Sequence, residues 1–197
     1  MYYLLILTRL QIKNAIYPKT IKQKNKFTQE IYKMKRTIFT IVGLLLVFNL
    51  IGCGNSEKQD ALLKYINKDL VEISDIETKF LESYESVTGD NYTNDFDMYV
   101  EFSNNTSILA RELNSAALEV GMAIDDEEIL EVHKIYIDST SNFMNAVSLF
   151  LSALETQDYA QLSLANEKLN KANSLALDFK KELNKLAEKY NIVISEE

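Results

Sequence analysis

From residue 54 to its last residue the chain contains no proline and only three glycines, Gly54, Gly89 and Gly121. Both residue types interrupt helices, because proline lacks a backbone donor and glycine loses more conformational entropy on folding. Apolar residues recur at steps of three and four over four segments, at about 57–88, 93–124, 126–155 and 159–191. The sequence therefore predicts four helices, each roughly 45 Å long at 1.5 Å per residue.

The fourth segment has the most regular pattern, with steps of three and four that alternate without interruption, the 3.5-residue period of a left-handed bundle. The second segment is the more polar one. Glu77 stands where the first segment needs an apolar residue, and we expect Ile76 to cover that position. The predicted core positions are Leu62, Ile66, Leu70, Ile73, Phe80, Tyr84 and Val87 in the first segment, Phe96, Tyr99, Ser103, Thr106, Ala110, Leu113, Ala117, Val120 and Ile124 in the second, Ile129, Val132, Tyr136, Phe143, Val147, Phe150 and Leu154 in the third, and Leu162, Ala165, Leu169, Ala172, Ala176, Phe179, Leu183, Leu186 and Tyr190 in the fourth.

Turn and capping residues separate the four segments. Residues 89–91 have the composition of a turn, and Asp125 and Asp158 each stand three residues before a Glu or Gln, as a capping oxygen does. Short connections make neighbouring helices antiparallel, so we predict an all-α fold, an antiparallel up-down four-helix bundle of residues 61–197. Two helical hairpins that complete their core in a homodimer are the alternative.

The charge of the chain divides at its single cysteine, Cys53. The net charge is -8 overall, but residues 1–53 carry nine Lys or Arg and one acid, whereas residues 54–197 carry 12 basic and 28 acidic residues. A basic leader before an acidic body is typical of an export signal. The acidic body disfavours nucleic acid as a partner, and a single cysteine excludes intrachain disulfides and zinc sites built from several thiolates.

A short apolar segment ends directly at this cysteine. Residues 34–36 supply a positive charge, and the 14-residue run 38–51 that follows is too short for a membrane-spanning helix of roughly 20 residues but suits a signal peptide. Leu50-Ile51-Gly52-Cys53 resembles the lipobox of bacterial lipoproteins. The resemblance implies that signal peptidase II recognises Leu50 and Ile51, that it cleaves after Gly52, and that Cys53 becomes the lipidated N-terminus. An ordinary transmembrane helix is the alternative.

These features divide the chain into four regions. Residues 1–33 are an upstream extension or the product of a mis-assigned start, with translation beginning at Met34. Residues 34–52 are a signal peptide that contains a hydrophobic helix, residues 53–60 are the lipidated cysteine and a short tether, and residues 61–197 are the acidic bundle. The bundle would then face the extracytoplasmic side of a bacterial cell membrane, held close to the surface by its acyl chains.

Residues that could carry chemistry are few. His133 is the only histidine, which excludes a metal site built on two histidines, and we expect it at the boundary of the core with a satisfied hydrogen bond. The acids of residues 125–128 and Glu131 suit a helix N-terminus better than a cation site. Residues 90–101 depart from a calcium loop at its third and sixth positions. We predict no catalytic, cofactor-binding or metal-binding residues, and no enzymatic activity.

Aromatic residues surround the turn between the first two helices. We expect Phe96 and Tyr99 to be core residues; with Tyr92 and Phe102, they would otherwise form a recognition surface for protein or carbohydrate.

The mature part resembles small helical-bundle lipoproteins of unknown function. We expect a membrane-anchored binding or scaffolding module with a protein partner in the cell envelope. The first alternative is a ligand-sensing or solute-binding accessory subunit, with a polar cavity near Glu77, Ser103 and Thr106. The second is an envelope hydrolase, which needs two or more acids that converge in a cleft.

Overall fold

A computed structural model describes residues 46–47 and 57–196 of the chain, and four long helices make up most of that part. α1 covers residues 57–86, as the α-helical stretches Glu57–Lys64 and Leu70–Ser86 joined by a π-helical turn, Tyr65–Asp69. α2 covers residues 95–123, with a π-helical turn Phe102–Thr106 between Asp95–Glu101 and Ser107–Ala123. α3, Glu127–Thr156, and α4, Tyr159–Lys189, are uninterrupted. The predicted all-α class is confirmed, and the predicted helix ends differ from these by at most two residues.

The helices begin at side-chain caps. Asn94 accepts hydrogen bonds from two backbone N–H groups at the start of α2, and a 3₁₀ turn, Gly89–Asn91, precedes it. Asp126 caps α3 and Asp158 caps α4 in the same way. The prediction that Asp125 caps the third helix is wrong by one residue, because it is Asp126 whose extended backbone brings its carboxylate to the free N–H groups.

One short β pair lies outside the helices. β1, Leu46–Val47, pairs antiparallel with β2, Ser195–Glu196. These two residues of β1 are the only described part of the predicted signal peptide, and the remainder of residues 34–52 lies outside the described residues. Among the helices that the structure describes, none has both the length and the apolar composition needed to cross a membrane.

Aromatic rings connect the helices through a shared core. The Phe80 ring of α1 meets Phe143 of α3 edge to face with centroids 5.7 Å apart. Phe102 of α2 lies 5.5 Å from Tyr84 of α1 and 6.0 Å from Phe150 of α3. These offset and edge-on arrangements are the favourable ones for aromatic pairs. Residues of α4, among them Phe179 and Leu183, belong to the same buried cluster, so all four helices share one core.

The core pattern of α2 is displaced at its start. The predicted positions Phe96, Tyr99 and Ser103 are not buried; Met98 and Phe102 are buried instead. A π-helical turn closes hydrogen bonds from i to i+5, so it holds one residue more than an α-helical turn and rotates the preceding residues by one position. The expectation that Phe96 is a core residue is therefore wrong, since 37% of it is exposed. Tyr99 packs only partly against the core.

The predicted pattern describes the other three helices well. In α1 every predicted position is buried except Val87, which packs against the core from its edge. In α3 and α4 the predicted positions are buried except Val132, Ala176 and Tyr190, which are half-buried. α3 and α4 are uninterrupted α-helices, which keep one register along their length, so a fixed period locates their buried face.

Candidate functional site

The predicted lipidation site lies outside the described residues. Leu50, Ile51, Gly52 and Cys53 all precede residue 57, where α1 begins. Residues 57–60, which the sequence assigns to the tether, are the first turn of α1.

The buried side chain of His133 is the centre of a polar site where α1, α2 and α3 meet. Its Nε2 lies 2.7 Å from the backbone carbonyl oxygen of Ala117, and its Nδ1 lies 2.8 Å from the Tyr65 hydroxyl oxygen. Because a carbonyl oxygen only accepts, Nε2 carries the hydrogen of the neutral ring, and Nδ1 accepts from Tyr65. His133 has no exposed surface, so the predicted boundary position is wrong, whereas the predicted satisfied hydrogen bond is found at both ring nitrogens.

The surroundings of His133 favour the neutral ring. Burial lowers its pKa below the ordinary value, and the Ala117 carbonyl and the nearby charge of Asp69 act in the opposite direction. Gly121 closes the site from α2, because a Cβ there would lie 2.9 Å from Ile137 Cδ1 and 3.2 Å from His133 Cδ2. The imidazole is therefore held by two hydrogen bonds, and a carbon atom added at Gly121 would require the Ile137 side chain to shift.

Sequence reasoning missed Tyr65 and Gly121 as partners of this histidine. Tyr65 directly precedes Ile66 of the apolar pattern and has no feature of its own to distinguish it. Gly121 did offer a signal, because a glycine inside a helical pattern usually has a packing reason. Asn173 was missed as well; it is buried on α4, and neither polar atom of its side chain has a hydrogen-bond partner among the described residues.

A half-buried carboxylate lies beside the same region. Tyr136, whose ring centroid is 5.8 Å from that of His133, donates to Glu77 Oε2 at 3.3 Å. Burial raises the pKa of Glu77 to about 7, against the effect of the tyrosine hydrogen bond. Ile76, which the sequence expects to cover this position, is half-buried as well and packs against the core. Glu77 thus occupies a position where the pattern needs an apolar residue, with its carboxylate hydrogen-bonded to Tyr136.

The three residues of the predicted polar cavity have separate partners. Thr106 hydrogen-bonds to Ser83 at 2.7 Å, and Ser103 donates to the carbonyl of Val100 at 3.1 Å, so neither shares a bond with Glu77. The two described grooves lie on the surface of α4, one of them against the start of α3, and none of the three residues lines them. The structure does not bring the predicted cavity residues together.

Glu128 joins three helix ends. Its carboxylate accepts from Lys58 Nζ of α1 at 2.7 Å, from the Tyr190 hydroxyl at 2.9 Å, and from Lys189 at the end of α4. Hydrogen bonds from Lys189, Lys58 and Tyr190, in that order, lower the pKa of Glu128 to about 2. We call Glu128, Lys58, Lys189 and Tyr190 the clasp. In residues 46–47 and 57–196 no group of three or more His, Cys, Asp or Glu residues is placed to hold a metal ion.

The opposite ends of these helices are acidic and aromatic. The Tyr99 hydroxyl of α2 donates to Glu155 of α3 at 2.8 Å, and Tyr92 donates to Asp95. Phe96 is exposed beside them. The sequence has no Lys or Arg in residues 80–110 or 135–167, so the carboxylates of these stretches have no cationic side chain close to them in sequence. We call residues 85–101 and 151–159 the acidic end.

Comparison with known proteins gives no relative from which a role could be carried over. No protein-family model matches the chain, and no curated protein and no solved structure shows significant similarity to it.

Proposed function

We propose that the chain is a bacterial cell-envelope lipoprotein whose four helices close into an antiparallel up-down bundle held at the membrane by lipid on Cys53. The clasp supports this arrangement, since it joins the starts of α1 and α3 to the end of α4, and the Tyr99–Glu155 hydrogen bond joins the start of α2 to the end of α3. Four residue steps separate Cys53 from Glu57, a reach of about 14 Å when extended. The clasp would therefore lie beside the membrane.

In this arrangement the acidic end is the part of the bundle directed away from the membrane. A helix of 30 residues such as α3 is about 45 Å long. We propose that the acidic end binds a basic segment of another envelope protein, which makes the bundle a binding or scaffolding module. The observation that carries the proposal is Phe96, exposed among carboxylates on a part of α2 that has no basic residue. Aromatic anchors and complementary charge are common features of protein interfaces.

Photo-crosslinking in the native membrane tests the binding role. A photoreactive amino acid in place of Phe96 is expected to capture a distinct protein. Met122 is the matched control, because it is 80% exposed and lies at the other end of α2. The captured protein should carry a Lys- or Arg-rich segment at the crosslinked position. The yield of the crosslinked product should fall with added salt. Equal capture from both positions, or no capture from Phe96, contradicts the proposal.

The anchor is tested in the same cells. Cys53→Ala is expected to leave the precursor uncut and without acyl chains, since the thiol that accepts the lipid is gone. Inhibition of signal peptidase II should preserve the precursor in the unaltered protein as well. Normal processing under both conditions would contradict the lipoprotein proposal without bearing on the binding role of the acidic end.

A further inference from the structure

The first turns of α1 are fastened to α2 and α3 by a titratable hydrogen-bond pair. Tyr65 lies in the π-helical turn of α1, donates to His133 Nδ1 of α3, and His133 in turn donates from Nε2 to Ala117 of α2. The pair is one polar link from residues 57–69 to the interior of the fold. Lys58 supplies another, at the surface, where its side chain is half exposed.

We propose that Tyr65 and His133 form an acid-sensitive latch, in which protonation of the buried imidazole releases residues 57–69 of α1 from α2 and α3. A proton on Nδ1 would stand between that nitrogen and the Tyr65 hydroxyl oxygen 2.8 Å away. Tyr65 would then have to direct its own hydrogen elsewhere within the core. Because the ring has no exposed surface, the imidazolium gains water only when the packing around it opens.

The segment that moves is the first α-helical stretch of α1. Residues 57–64 are eight residues that precede the π-helical turn, whereas α2 and α3 are joined by core contacts such as Phe102 to Phe150. When the ring is neutral, burial of the apolar side chains of Leu62 and Ile66 returns the segment to its closed position. Opening would be partial and reversible.

The charged and titratable groups around the ring are few. From α1, Asp69 favours the proton, and Tyr65 occupies Nδ1. On the α2 side the ring is hydrogen-bonded to the Ala117 carbonyl. On α3 it packs against the ring of Tyr136, whose hydroxyl donates to Glu77. Glu77 titrates in the opposite sense, because acid removes a charge that burial disfavours. Glu128, whose pKa is lowered to about 2, begins to lose its contribution to the clasp only below about pH 4.5. Opening that begins between pH 6.5 and 4.5 therefore belongs to His133.

Hydrogen exchange on the full-length chain in detergent, followed by mass spectrometry, tests the latch. Protection factors, corrected for the intrinsic effect of pH, are compared at pH 7.5, 6, 5 and 4. In residues 57–69 they are expected to fall by up to about tenfold per pH unit as the pH drops from the ordinary histidine pKa of 6.5 towards the lowered folded-state pKa of His133, because opening takes up one proton in this range. Residues 127–156 serve as the internal reference and should stay protected. Equal protection of residues 57–69 at all four pH values would overturn the proposal.

Two variants and one spectroscopic signal identify the responsible group. His133→Gln keeps an amide donor for the Ala117 carbonyl and cannot titrate, so its protection should be independent of pH. Tyr65→Phe removes the donor that favours the neutral ring, and its opening should move to higher pH. The NMR signal of the single histidine should titrate at the pH where protection is lost. If His133→Gln does not fold, an unchanged opening pH in Tyr65→Phe, or a histidine that titrates without loss of protection, would still overturn the latch.

Discussion

Glu77 and His133 approach Tyr136 from two helices, and acid affects them in opposite ways. Burial raises the pKa of Glu77 and lowers that of His133, so each group is disfavoured in its charged form. The folded state therefore loses stability at high pH through Glu77 and at low pH through His133. The fold should be most stable between these limits, where both side chains are neutral.

Glu77→Gln is expected to remove the loss of stability at high pH. The folded-state pKa of about 7 lies above the ordinary glutamate pKa of 4.5, so the unaltered protein should lose stability as pH rises from about 4.5 through 7. The loss should be about 1–3 kcal/mol, since water partly screens this half-buried group. Urea unfolding at pH 5 and pH 8 measures it. The amide variant should lack the loss, whereas Glu72→Gln, an exposed position on the same helix, should keep it. If the free energy of unfolding changes with pH as much in Glu77→Gln as in the unaltered protein, the Glu77 carboxylate is hydrated in the folded state.

At the scale of the helices, a period of 3.5 or 3.6 residues was enough to predict α1, α3 and α4 and most of their buried positions. It failed at the start of α2, because Phe102–Thr106 is a π-helical turn and nothing in its composition distinguishes it from an α-helical one. The His133 site could not be predicted from the sequence for a related reason. Its partners come from two other helices, Tyr65 from α1 and both Ala117 and Gly121 from α2, and one sequence gives no rotational alignment between helices.

The displaced register of α2 gives a direct prediction for two phenylalanines. Phe102→Ala should lower the free energy of unfolding by about 3–5 kcal/mol, because it leaves a cavity between Tyr84 and Phe150. Phe96→Ala should change it by less than about 0.5 kcal/mol, since Phe96 lies partly in solvent. Chemical denaturation of both variants at pH 7 supplies the comparison. Similar losses for the two would mean that the uninterrupted pattern, with Phe96 inward, describes α2 after all.

At the scale of the whole molecule, charge is distributed unevenly along the helices. All 12 basic residues of the acidic body fall in residues 58–79, 111–134 and 168–189, and six of them are on α4. The clasp uses two of these lysines to fasten helix ends, whereas the acidic end is held by hydroxyl and amide donors, such as Tyr99 to Glu155. The two ends should therefore respond differently to acid and to salt.

Glu128→Gln tests this difference, because it keeps the shape of the side chain and removes the charge that Lys58, Lys189 and Tyr190 share. Hydrogen exchange of residues 57–64 and 183–190 should become several-fold faster at pH 7, with no change in residues 95–101. Glu131→Gln is the matched control, since Glu131 pairs only within α3, with Lys134.

The unaltered protein should show the same loosening as pH falls from about 4.5 towards 2, because the pKa of Glu128 is lowered in the folded state and its contribution disappears as it is protonated. This loosening begins near pH 4.5, whereas the His133 latch begins to open near pH 6.5, so the two transitions start at different points on a pH axis. Equal exchange in the Glu128 and Glu131 variants would mean that apolar contacts alone hold the three helix ends together.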